Sequence, residues 1–240
     1  MEKSFEELDY QRTALGELIL RRRRIAMLDN EVVYEVILDN AFLMSSLFHV
    51  AEEELATRAL ALLDAPHADV VVGGLGLGYT AAAALRDQRV KSLTVIEALP
   101  PVIDWHRRGL LPLDPPLVGD QRVELVAADF FTLAASGGLR SRQPAARAHA
   151  ILLDIDHSHQ HWLDPSHASF YTRDGLSAVR DALHPGGVFG MWADGDPERG
   201  FERLLSAVFA SASGCRVEFD NPLTGGRSAS TVYLATAAAE

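Results

Sequence analysis

Cysteine is almost absent from this 240-residue chain. Cys215 stands alone, so no internal disulfide can form and no cluster of thiolates can hold zinc. Beside Gly214 and a strand-like run, it reads as a buried apolar filler rather than a reactive thiol. No stretch approaches the apolar length needed to cross a bilayer. The opening residues, Met-Glu-Lys-Ser-Phe-Glu-Glu, also lack the apolar core of a secretory signal. A cytoplasmic protein is therefore expected. Positive charge is scarce as well: 22 Lys and Arg stand against 33 Asp and Glu, a net charge of -11. Nucleic-acid backbones and anionic membranes repel such a surface, so neither is an expected partner. A neutral or cationic small molecule, such as an amine, is more easily accommodated. Hydrophobic residues make up 48%, enough at this length to bury a sizeable core.

Three short segments open the chain. Leu15–Arg23, Val32–Leu38 and Ala41–Ser45 are rich in β-formers and broken by Gly16, Asp29-Asn30 and Asp39-Asn40. Asp-Asn pairs tolerate tight turns, so a small antiparallel β-unit over residues 1–47 is expected. Its run Arg21–Arg24 reads as a solvated strand end. From residue 48 onward, helical and strand patterns alternate. Strands are expected at Asp69–Val72, Ser92–Ile96, Val123–Val126, Ala150–Leu153 and Val188–Trp192, with a closing pair at Arg216–Phe219 and Thr231–Ala235. Helices are expected at Glu52–Leu63, Tyr79–Leu85, Val102–Arg108, Phe170–Leu183 and Pro197–Ala212. His184-Pro185-Gly186-Gly187 would close the fourth of these; Asp194 and Asp196 either attract an amine or cap the fifth, where Asp196 fits the cap. Strands this apolar belong to a mostly parallel sheet with helices on both faces, an α/β Rossmann-like fold of seven strands over residues 48–240. The closing pair lacks an intervening helix and implies an antiparallel last strand. Gly137–Gln143 reads as a surface loop.

After the first of these strands the chain runs Gly73-Gly74-Leu75-Gly76-Leu77-Gly78-Tyr79 into a helix. Such a loop lets the backbone approach a ligand closely and aims free helical N–H groups at it. Gly76-Leu77-Gly78-Tyr79-Thr80-Ala81 matches the dinucleotide pattern GxGxxA. Gly74-Leu75-Gly76-Leu77-Gly78 equally matches the GxGxG of methyltransferases. The acids that follow decide the matter. Glu97 ends the second strand, where a carboxylate can hold ribose hydroxyls. Asp129 and Phe130 follow the third, suited to an adenine amino group and an apolar wall for its ring. Asp154 closes the fourth. Any one of them could be a helix cap; the set points to a cofactor site at Gly74, Gly76, Gly78, Glu97, Asp129, Phe130 and Asp154.

These residues, with the N-terminal β-unit and the Pro-Gly-Gly turn, resemble the spermidine synthase superfamily of aminopropyltransferases, within the class I S-adenosylmethionine-dependent methyltransferase fold. The resemblance implies that Glu97 holds the ribose and Asp129 the adenine of S-adenosylmethionine or its decarboxylated form. It also implies a homodimer. Two positions depart from the family pattern. Where the family has GGGDGG, with an aspartate for the aminopropyl ammonium, this chain has Gly76. Where the family has D-S-x-D-P, this chain has Asp154-Ile155-Asp156-His157-Ser158, with histidine at the catalytic acid's position. An aspartate in the loop would repel the carboxylate of intact S-adenosylmethionine, so Gly76 favours methyl transfer on electrostatic grounds. Aminopropyl transfer to a polyamine is the alternative. A silent nucleotide-binding protein is a third reading, and a Rossmann dehydrogenase a distant fourth.

His157, His159, His161 and His167 cluster just after Asp154. Histidine titrates near neutrality, so His157 is the candidate base for an attacking amine, with Asp156 as its orienter or substitute and Asp154 completing the catalytic set. A metal site in this segment is a minority reading, and solvated loop histidines are the plainer one. Of the nearby aromatics Trp162, Phe170, Tyr171 and Trp192, the last is the best candidate for a pocket wall.

Overall fold

The architecture comes from a computed structural model that describes residues 4–139 and 146–239. The N-terminal sheet has four antiparallel strands in sequential order: β1 (Phe5–Thr13), β2 (Gly16–Ile25), β3 (Glu31–Leu38) and β4 (Ala41–Ser45). β1 precedes the three strands read from sequence. The Asp-Asn pairs turn as expected. Asp29, Asn30, Asp39 and Asn40 all have positive φ, a region that short polar side chains tolerate better than others. Leu18 and Leu20 point into the core, while neighbouring arginines point outward. These arginines do more than solvate a strand end: Arg21 and Arg23 donate from 2.8 and 2.9 Å to the buried carboxylate of Glu35 on β3.

The second sheet contains β5 (Ala68–Gly73), β6 (Val90–Glu97), β7 (Val123–Ala127), β8 (Ala148–Leu153), β9 (Leu183–Asp194), β10 (Ser211–Asn221) and β11 (Gly226–Thr236). Their order is β10-β11-β9-β8-β5-β6-β7. β9, β8, β5, β6 and β7 are parallel, and β11 runs antiparallel between β9 and β10. Side-chain alternation feeds two cores. Val70 and Val72 pack on the face carrying α1 (Val50–Ala61), α2 (Tyr79–Arg86) and α3 (Pro100–Arg107). Val71 packs on the face carrying α4 (Phe130–Ser136), α5 (Arg173–Asp181) and α6 (Arg199–Ser206). The N-terminal sheet joins the first core through Leu18, Leu20 and Val36.

Three local expectations are corrected. His184–Gly187 does not close a helix but is looped out of β9: Ala148 pairs with Leu183, and Ala150 already pairs with Val188. Pro197 and Asp196 do not begin α6, which starts at Arg199. Asp196 instead accepts from Arg216 at 2.6 Å. Cys215 is half-buried rather than buried. Residues 140–143 of the expected surface loop lie outside the described residues, and its first residue, Gly137, caps α4.

Candidate active site

Strand order reverses between β5 and β8, because β6 and β7 build outward on one side and β9 on the other. Sheets of this kind open a crevice at the carboxyl ends of the two strands flanking that point. The crevice here is a cavity of about 640 Å³, roofed by the N-terminal sheet. The glycine loop forms its floor. Gly74 has φ +94°, and a Cβ there would lie 2.1 Å from the Asp154 carbonyl oxygen, so only glycine fits. The loop is braced from outside by His106 of α3, whose Nε2 lies 2.9 Å from the Gly76 carbonyl oxygen. Burial depresses the His106 pKa, leaving a neutral ring whose N–H donates to that carbonyl.

The expected cofactor residues converge on this cavity. Gly74, Gly76, Gly78, Glu97, Asp129, Phe130 and Asp154 all line it. Glu97 accepts from the backbone N–H of Leu75 at 2.9 Å and of Leu99 at 2.8 Å. Burial raises its pKa while these N–H donors pull it back. The backbone N–H groups of Gly76 and Ala98 add to these, so the loop and the strand end together fix the carboxylate. Asp129 caps α4 by accepting from Thr132 N through Oδ1 at 2.6 Å, so it is both a cap and part of the wall. Phe130 is buried against Gly73, where a Cβ would lie 2.5 Å from its ring.

The expected catalytic residues separate. Asp154 lines the cavity and accepts from the Thr80 hydroxyl at 2.6 Å. His157 is exposed at the cavity rim. Asp156 is turned away from both, into a buried knot. It accepts from Leu163 N (2.8 Å), His167 Nδ1 (2.9 Å) and Tyr171 Oη (2.8 Å), and it is not on the cavity wall. It orients His167, not His157. The other histidines are similarly engaged: His161 Nδ1 lies 3.0 Å from Ser158 Oγ, and His159 stacks on Phe201. Among the described residues, no three metal-ligating side chains come together. Of the aromatics, Phe170 and Tyr171 are core residues and Trp162 is exposed. Trp192 lines the cavity with a buried Nε1 that has no partner among the described residues.

Two acids on this wall, Glu52 and Asp164, were not anticipated. Glu52, in the first turn of α1, lines the same cavity as Asp154, close enough to feel its charge. Burial and the Asp154 charge push Glu52 up to about 8, and burial pushes Asp154 up to about 6. In sequence, Glu52 reads only as one of three acids at a helix start, where the dipole favours negative charge. Nothing local marks it as different.

No family model matches the chain. A polyamine aminopropyltransferase of Oceanobacillus iheyensis is 26% identical over 191 residues, 77% of this chain. The chain covers 34% of that relative's length, about a third. Solved structures align over nearly the whole chain. A spermidine synthase from Thermotoga maritima matches with TM-score 0.71 and 20% identity, covering 98% of this chain and 74% of its own. A spermidine synthase in complex with the transition-state analogue AdoDATO gives TM-score 0.70 and 20% identity over 98% and 73%. A probable spermidine synthase from Corynebacterium glutamicum gives 0.63 and 14% over 96% and 79%. In sequence the chain is similar to the polyamine aminopropyltransferases, and it has the spermidine synthase-like form of the class I S-adenosylmethionine-dependent methyltransferase fold.

Proposed function

We propose that this chain is an aminopropyltransferase, using decarboxylated S-adenosylmethionine and a small amine acceptor. The observation that carries this reading is the charge of the cavity. Glu52, Glu97, Asp129, Asp154, Asp164 and Asp194 line it, and its described lining includes no lysine or arginine. A cationic ligand is stabilised in such a site, whereas the carboxylate of intact S-adenosylmethionine would enter without a partner. This reverses the preference for methyl transfer drawn from Gly76 alone. The resemblance to a polyamine aminopropyltransferase supports the same choice.

The residues fit an adenosyl ligand. Glycines at positions that a Cβ would block let the loop backbone approach the ligand. Glu97 is held ready for ribose hydroxyls, and Asp129 and Phe130 stand where the adenine would rest. Bound there, the sulfonium would supply an electrophilic carbon whose bond to sulfur breaks as an amine nitrogen attacks, the electron pair staying on sulfur. The chain's own work is to hold two cations in line and to accept one proton. Positioning supplies most of the acceleration. His157, exposed at the rim, takes the proton of the attacking amine and can pass it to water.

The test is to incubate the purified chain with the decarboxylated cofactor and a diamine, and separately with intact S-adenosylmethionine. Methylthioadenosine and an aminopropylated amine should form in the first mixture. A methylated amine from the second, with no turnover of the first, would overturn the reading.

A further inference from the structure

Where the family this chain resembles carries an aspartate on the glycine loop, this chain has Gly76, with the end of Met44 beside it. A Cβ at Gly76 would lie 2.9 Å from Met44 Sδ and 3.2 Å from its Cε. The glycine loop, Gly73 to Gly78, carries no acid, so an ammonium bound in the cavity needs its counter-charge from another element.

The three acids that open α1 show where it comes from. Glu54 pairs with Arg58 at 2.5 Å, and Glu53 pairs with Arg86 at 3.2 Å. Glu52 has no cationic partner among the described residues, and it is the one of the three that lines the cavity. Its backbone is tied to the site as well. The Thr80 hydroxyl lies 3.3 Å from the Glu52 carbonyl oxygen while it donates to Asp154 at 2.6 Å. The groups that act on Glu52 are Asp154 just past β8, Tyr79 of α2 and Glu53 beside it, none of them a cation. Two carboxylates facing one another without a counter-ion are unfavourable, and a cation between them removes that cost.

We propose that Glu52 supplies the charge missing at Gly76: with Asp154 it holds the primary ammonium of the aminopropyl arm being transferred. This deepens the aminopropyltransferase reading and rests on it. It makes Glu52 a specificity-determining residue, and the acid has in effect moved from the glycine loop to the neighbouring helix.

The experiment is calorimetric titration of the full chain with decarboxylated S-adenosylmethionine and, separately, with methylthioadenosine, which keeps the nucleoside and sulfur but has no ammonium. Glu52→Gln should weaken the first by about 10- to 100-fold, the worth of a charge-assisted hydrogen bond, and leave the second within about twofold. Glu53→Gln, which removes the partner of Arg86, should change neither. Equal binding of the decarboxylated cofactor by wild type and Glu52→Gln would overturn the assignment while leaving the aminopropyltransferase reading intact. A matching loss for methylthioadenosine would also overturn it, making Glu52 a support of the cavity wall. Failure of the wild-type chain to bind either ligand would overturn the underlying reading together with this one.

Discussion

Met44 of β4 packs its sulfur against Gly76, 2.9 Å from the point where a side chain at that glycine would begin. The contact joins the N-terminal sheet to the glycine loop and fixes what the loop can carry. Gly76 has φ +48°, in the left-handed region where a side chain is strained, and the end of the flexible Met44 side chain stands where that side chain would extend, so backbone and neighbour both act against an acid here. Gly76→Asp should therefore cost about 1–3 kcal/mol, from the left-handed backbone together with displacement of the Met44 end. Adding Met44→Ala should recover the part of that loss that comes from the methionine and leave the backbone part. Urea denaturation of both variants checks this; a Gly76→Asp protein as stable as wild type would show that Met44 does not occupy the site.

Gly74 is constrained differently. Its φ of +94° and the Asp154 carbonyl oxygen 2.1 Å from the Cβ position mean that backbone would have to move to admit even a methyl group. Gly74→Ala should destabilise the chain by about 1–3 kcal/mol, the range for a strained backbone conformation. It should also displace Asp154 and reduce affinity for methylthioadenosine. Thermal unfolding and titration together separate the two effects.

The glycine loop and its acids were legible because each of their signals is local. A strand running into four glycines and a helix, with carboxylates closing successive strands, has few other physical uses. Glu52 and Met44 were not legible, since both earn their roles from contacts across the fold. Glu52 looks like any acid in a first helical turn until Asp154 is placed opposite it. Asp156 misled for a related reason. Its adjacency to His157 in sequence suggested a pair, but past the end of β8 the chain bends and the two side chains part. Asp156 goes inward to His167 and Tyr171, and His157 stays at the rim. The HPGG segment reads as a helix stop from composition, yet pairing of β9 with β8 on both sides of it makes it a bulge.

The division between Asp156 and His157 gives a sharp mutational contrast. Asp156→Ala would leave the His167 Nδ1–H, the Tyr171 hydroxyl and the Leu163 N–H without their acceptor. At about 1–3 kcal/mol for each buried unsatisfied group, it should lose at least about 3 kcal/mol of stability. His157→Ala should stay within about 0.5 kcal/mol of wild type, as exposed substitutions do. Its kcat should nevertheless fall about 100-fold or more if it accepts the amine proton. Denaturation curves measured beside turnover check both. A His157→Ala enzyme of unchanged rate would move the proton acceptor to another residue.

Ligand-free stability should carry the signature of the facing carboxylates. Burial, followed by the charge of Asp154, raises Glu52 from 4.5 to about 8 on folding. Between those values the folded chain binds more protons than the unfolded one, so stability falls as pH rises. The contribution is fully present below the unfolded value of 4.5 and is lost as pH passes through about 8. Asp154, raised to about 6, adds a slope of the same sign at lower pH. Glu52→Gln removes the first slope, because a neutral amide has no proton to lose. The variant should match wild type near pH 5 and unfold at a higher temperature near pH 9, with the two curves separating between those limits. Parallel unfolding temperatures for both proteins across the range would mean that Glu52 is ionised at neutral pH without penalty. In that case the cavity would not be waiting for a cation.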